Sequence, residues 1–250
     1  MYFKGVKAIS KIRRIYMARF VGRCAVLVTA AVLLAFAPEQ FEVLKGWNFF
    51  RHFSVLHVLW AIWLVDMIAQ LLPAKNNISL GSKKLFGQYF TPSKVKQDLS
   101  ALRQYIVSTT RSAYHILIIW TLLTVMLGIC RARGWLTDAG LLMVSILFYV
   151  CDLICVLFWC PFRLLLKNRC CTTCRIFNWD HIMMFTPLLF VNGFFSYSLL
   201  ALAAVVWCAW ELSVLVHPER FWWQSNETLQ CINCTDKLCT QYCHKLRPKA

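Results

Sequence analysis

The chain reads as an all-α, polytopic helical membrane protein of about five to six spans, closed on its inner face by a cysteine-rich cap. Three observations lead there. Of 250 residues, 59% are drawn from AVILMFWYC and only 15% are charged, far from the soluble balance of roughly half apolar and a quarter charged. The apolar residues fall in runs that approach or exceed the roughly 18 to 20 a helix needs to cross a hydrocarbon core about 30 Å thick. The net charge of +16 sits between those runs. Charge placed that way is a topology signal and an attraction to membrane lipid with anionic headgroups, so nucleic acid is not an expected partner.

Residues 1–20 form a basic N-terminal segment. With Arg23 it carries Lys4, Lys7, Lys11, Arg13, Arg14 and Arg19, and no acid. Region 21–72 holds the first two spans, 21–37 and about 52–72. Ala35-Phe36-Ala37 has the small-residue form of a signal-cleavage site, but Pro38 disfavours processing, so a retained span is expected. Residues 73–112 form a basic amphipathic inner loop. There Thr91 is a candidate N-cap before Pro92, with Val95, Leu99, Leu102 and Ile106 at helical spacing. Such a helix lies on the inner leaflet or packs on the bundle.

Region 113–160 contains the third and fourth spans, about 113–130 and 139–160, and 161–181 is a Cys-rich inner loop. The stretch 182–216 is 35 residues, too long for one span and short for two, and Pro187, Asn192 and Gly193 interrupt it. It fits a helical hairpin, or a re-entrant leg followed by one full span, because broken backbone is tolerated where protein or water covers it. Residues 217–250 are a Cys-rich basic tail. With the N-terminus inside, segments 1–23, 73–112, 161–181 and 217–250 hold 23 of the 27 Lys and Arg. The expectation is a multi-pass protein of the cell membrane with a cytoplasmic N-terminus.

Thirteen cysteines include two clusters of four: Cys160, Cys170, Cys171 and Cys174, then Cys231, Cys234, Cys239 and Cys243. Two residues between thiols let both converge on one ion, so Cys171/Cys174 with Cys231/Cys234 would complete a tetrahedral zinc site. Such a site would tie loop to tail as a platform for a protein partner at the inner face. The alternative cofactor is an iron-sulfur cluster. The tail has gaps of two, four and three and ends in Cys243-His244, which resembles in part the two, two, three of a bacterial ferredoxin run. That resemblance implies electron transfer. Unliganded, regulatory or disulfide-bonded thiols are the third reading, and a disulfide needs the tail outside. Asn226-Glu227-Thr228 also matches a glycosylation acceptor.

Asp66, Asp152 and Glu211 lie at membrane depth, where an Asp at a helix centre costs roughly 2.5 to 3.5 kcal/mol. Asp66 and Asp152 fall toward the inner half, as does His115, and the three are expected to form an intramembrane polar cluster. Its functional reading is a proton or ion relay, or a small-ligand pocket, which would make the chain a small transporter; the plainer reading is hydrogen bonding across helices. No phosphate-binding glycine loop, His-Glu-x-x-His or Gly-x-Ser-x-Gly is present, so common soluble-enzyme chemistries lack support.

Overall fold

The computed structural model describes residues 10–73, 81–94, 98–166, 170–234 and 238. Helices α1 (Lys11–Phe36), α2 (Leu56–Leu71), α3 (Ser82–Leu85), α4 (Leu99–Ala132), α5 (Asp138–Leu157), α6 (Phe162–Leu166), α7 (Asp180–Phe185) and α8 (Phe194–Val216) are joined by turns and short 3-10 segments. No strand occurs among the described residues. Four helices, α1, α4, α5 and α8, are long and apolar enough to cross a membrane, while the apolar α2 has 16 residues. Their outward faces present Val28, Val32, Ile118, Leu122, Val125, Leu212 and Leu215 uncovered. That is a surface suited to lipid and compatible with a membrane protein.

Two helices begin earlier than their apolar runs. Ser10 caps α1, its hydroxyl accepting from the Arg13 N–H at 3.1 Å, so the basic residues 11–23 are helical too. Nothing between Ser10 and Phe36 breaks the helix. The amphipathic helix expected from Thr91 is instead the first part of α4. Asp98 is its N-cap, accepting from Ser100 N at 2.8 Å. Thr91 and Pro92 pair instead with the tail: Thr91 O accepts from Glu227 N at 2.9 Å and Ser93 N donates to Ser225 O at 3.0 Å. The polar run after Ile106 stays helical because hydroxyls return to the preceding turn, as Thr109 Oγ1 to Tyr105 O at 2.9 Å.

The bundle has two ends. At the hairpin end lie the 3-10 turns 38–44 and 48–50 and the α4–α5 turn; at the loop end lie 81–94, 158–180 and the tail. The stretch 182–216 is split. α7 runs into a 3-10 segment, Thr186–Phe190, then extended backbone to Gly193, where α8 starts. Pro187 cannot continue an α-helical ladder, and the tighter turn follows from it. This broken leg packs against α4, α5 and α8, with Phe185 and Leu188 wholly buried beside Trp63 and Phe195. Its end is fastened: Gly46 N donates to Asn192 O at 2.7 Å and Phe194 N to Gly46 O at 3.0 Å. Phe49, Phe50, Trp60 and Phe194 cluster over that junction.

The close approach requires glycine at 193, because a Cβ there would collide with the Leu44 carbonyl. Gly193→Ala is expected to lower unfolding stability in detergent by about 2 kcal/mol or more. Gly22→Ala, where nothing lies within 4 Å, should change it by less than about 1 kcal/mol. Thermal unfolding followed by tryptophan fluorescence checks the contrast.

Candidate functional site

At the loop end, Lys84 is buried to 1% exposure. Its Nζ donates to Cys174 O at 2.7 Å and lies 4.8 Å from the Trp210 ring centroid, with Phe177 at 5.8 Å and Phe221 at 5.9 Å. Among the described residues no carboxylate pairs with it. Burial lowers the ammonium from 10.5 to about 8; Cys174, Cys170 and Cys171 are near enough to act on its charge in the opposite sense. Beneath it Arg175 grips Glu211 with both terminal nitrogens, at 2.8 and 2.5 Å, and Trp179 Nε1 donates to the same carboxylate at 2.7 Å. Glu211 is thus the anchor of the 170–180 segment on α8.

The first thiol group is drawn together here. Cys160 is buried just past α5 and accepts a hydrogen bond from Cys155. That bond, with the Phe162 and Arg163 N–H groups and the Arg163 charge, lowers the Cys160 thiol to about 7 against the effect of burial. Cys171 Sγ lies 3.9 Å from Cys155 O, and burial first, then Cys174, Cys170 and Cys160, push its thiol up. Cys170 and Cys174 are half-buried beside it. Cys234 is half-buried, whereas the Cys231 side chain, Cys239 and Cys243 lie outside the described residues. Among the described residues no group of three or more His, Cys, Asp or Glu is placed to hold a metal ion. The tail nonetheless returns to this end twice. Trp222 stacks on Tyr105, and Leu238 is buried against Tyr16, Leu153 and Leu157, on which Cys171 also packs. Asn226 is fully buried, its amide donating to Arg220 O at 3.0 Å and its Oδ1 accepting from Thr228 N and Oγ1.

Deeper toward the bundle lies a second group. Arg23 of α1 donates to Asp152 Oδ2 at 2.7 Å and to Tyr149 O at 2.6 Å, stands 3.8 Å from Asp66 Oδ2, and covers the Tyr149 ring. His181, at the start of α7, has Nδ1 3.2 Å from Asp180 Oδ2 and 3.2 Å from Gln70 Nε2, and Nε2 3.5 Å from Asp66 Oδ2. A cavity of about 70 Å³ opens onto this group, walled by Arg23, Asp66, Gln70, Asp152 and Asp180, with Tyr16 and exposed Arg19 at its edge.

Asp66 and Asp152 therefore meet through Arg23, but His115 is not with them. It is exposed on α4, on a helix the cavity does not touch. The histidine that joins the carboxylates is His181, whose place next to a turn and an apolar stretch gave no signal by itself. Arg23 was legible only as an inner-side charge, although a basic residue inside a helix facing acids on other helices is a signal for such pairing. No family model, curated protein or solved structure matches the chain.

Two outcomes are expected. Arg23→Met leaves Asp152 without its guanidinium partner and should cost about 3 to 5 kcal/mol. Arg131→Met, which breaks the half-exposed pair with Asp138, should cost about 1 kcal/mol or less; denaturation in detergent measures both. Lys84 makes a pH-dependent contribution. Its folded value of about 8 lies below 10.5, so the charged form destabilises the fold fully below pH 8 and the penalty disappears as pH rises to 10.5. Lys84→Met should therefore be more stable than wild type by about 3 kcal/mol below pH 8 in chelator-treated protein. The advantage should shrink toward pH 10.5, as a series of unfolding curves would show.

Proposed function

We propose that this chain is a non-enzymatic multi-pass membrane component whose cytoplasmic face is a cap held by a structural zinc ion, bound through Cys171 and Cys174 of the loop and Cys231 and Cys234 of the tail. The cap serves as a platform for a protein partner. The observation that carries this reading is Lys84: a buried ammonium with one carbonyl acceptor, three aromatic faces and three neighbouring cysteines, but no carboxylate among the described residues. A buried cation without a counter-charge is costly. A zinc ion with four thiolates carries two net negative charges, and Lys84 would face them. The backbone pairing of 91–93 with 225–227 and the return of Leu238 beside Cys171 support a tail that reaches the loop. Metal ligation would add folding energy directly to the apolar packing at this end.

In this reading the membrane is crossed six times, with α2 and the broken leg as the two short crossings. The excess of Lys and Arg at the loop end supports placing that end, and the N-terminus, in the cytoplasm.

Elemental analysis and an ultraviolet-visible spectrum of anaerobically purified protein test the metal. Stoichiometric zinc without visible absorbance, lost in Cys231→Ser and Cys234→Ser, is the expected result. Iron with sulfide and a band near about 400 nm would replace the platform with an electron carrier. Absence of both metals would overturn the reading.

A further inference from the structure

The geometry points to a proton-binding site beside the cavity between α1, α2, α5 and α7: His181, which does not itself line the cavity but is suspended between the wall carboxylates of Asp66 and Asp180, takes up and releases a proton through them and through water that enters beside Arg19. None of these residues is a thiol ligand, so the site stands independently of the zinc.

Charge balance comes first. The cavity wall carries three carboxylates, Asp66, Asp152 and Asp180, against two guanidinium groups, Arg19 and Arg23. One further positive charge neutralises it, and the adjoining His181 imidazole is placed to carry that charge. Geometry comes second. Each ring nitrogen of His181 faces a carboxylate oxygen, Nδ1 at 3.2 Å from Asp180 and Nε2 at 3.5 Å from Asp66. A neutral imidazole has one N–H and turns a lone pair on one of those carboxylates, while the imidazolium offers each an N–H.

The third observation is independent of charge. Gln70 is only 9% exposed and lines the cavity, yet its Oε1 has no hydrogen-bond partner among the described residues; Asp180 Oδ1 is buried and equally without one there. Buried acceptors are normally satisfied, and about 70 Å³ holds water with room to spare, since one molecule needs roughly 10 to 15 Å³ on this measure. Waters there would donate to Gln70 and Asp180 and connect His181 to the surface at Arg19 and Ala69, both exposed. Gln70 Nε2 faces Nδ1 at 3.2 Å, the orientation that suits an unprotonated Nδ1. Rotating the amide presents Oε1 instead, so Gln70 can accompany the proton.

The surroundings of His181 are otherwise fixed. Arg23 of α1 is engaged by Asp152 and Tyr149 of α5, and Glu211 of α8 is held by Arg175 and Trp179. Asp66 is the carboxylate shared between the two cations, 3.8 Å from Arg23 and 3.5 Å from His181. Uptake of a proton at His181 therefore redistributes Asp66 between them, which ties the protonation state to the packing of α1, α2 and α7.

The experiment is nitrogen NMR of ring-labelled histidine in full-length protein in lipid nanodiscs, with the His181 signal identified by its loss in His181→Gln. Near neutral pH, wild type should show both ring nitrogens protonated and N–H exchange with water fast. Asp66→Asn should lower the imidazolium-to-imidazole ratio at least tenfold, the equivalent of one pKa unit, and Asp66→Glu should restore it. A neutral His181, an unchanged ratio in Asp66→Asn, or ring protons protected from exchange would overturn the proposal, the last marking a dry structural ion pair. Loss of the imidazolium when choline chloride is replaced by sodium chloride would overturn it in favour of a metal-cation site. Should Asp66→Asn fail to accumulate, protonation and exchange in wild type decide alone.

Discussion

The structure depends on covering one stretch of irregular backbone. Between Asp180 and Gly193 the chain passes from a short α-helix to a 3-10 turn and then to extended residues, a path that leaves amide and carbonyl groups without the regular ladder. In hydrocarbon each such group costs several kcal/mol, so this leg is tolerated only inside protein. α4, α5 and α8 close around it, and Gly128 lets the Phe190 ring approach α4 so closely that a Cβ would overlap it. The two ends of the leg are fixed by different means: paired backbone at Gly46 and Asn192, and the His181 side chain between Asp66 and Asp180.

Fixing the leg at its charged end also explains where the ionisable residues of the helices go. Arg23 joins α1 to α2 and α5 through two carboxylates; each partner would be costly alone and is less so together. A similar pairing operates in the loops: Arg175 and Trp179 both donate to Glu211, and the Arg175 carbonyl accepts from Trp210. Lys84 is the exception. It is 1% exposed, yet aromatic faces and one carbonyl are its described partners. A cation left in that state beside three cysteines is the observation behind the proposed thiolate site.

Much of the fold was legible. Length and apolarity marked α1, α4, α5 and α8, because crossing hydrocarbon demands a run of residues with no charge at its centre, and Pro187 with Asn192-Gly193 marked the interruption near its observed place. The starts of α1 and α4 were not, because apolarity reports the lipid-facing part of a helix and says nothing of a polar extension capped by Ser10 or Asp98. The candidate polar cluster was half legible. Asp66 and Asp152 stood out as charges in apolar runs, but choosing His115 as their companion assumed that equal depth implies contact. Depth is one coordinate; rotation about the helix axis is another, and α4 turns His115 outward.

By itself, the sequence determined the helical class and the helices apolar and long enough to cross a membrane, since composition and spacing along one chain control both. The tertiary structure decided which charges meet: Arg23 with Asp152 and Asp66, His181 with Asp66 and Asp180, Arg175 with Glu211, and Lys84 with rings instead of an acid. Apart from the adjacent Asp180 and His181, those ion pairs join residues 36 to 129 apart. A buried charge selects its partner by distance in space, and that distance exists only once the helices have packed.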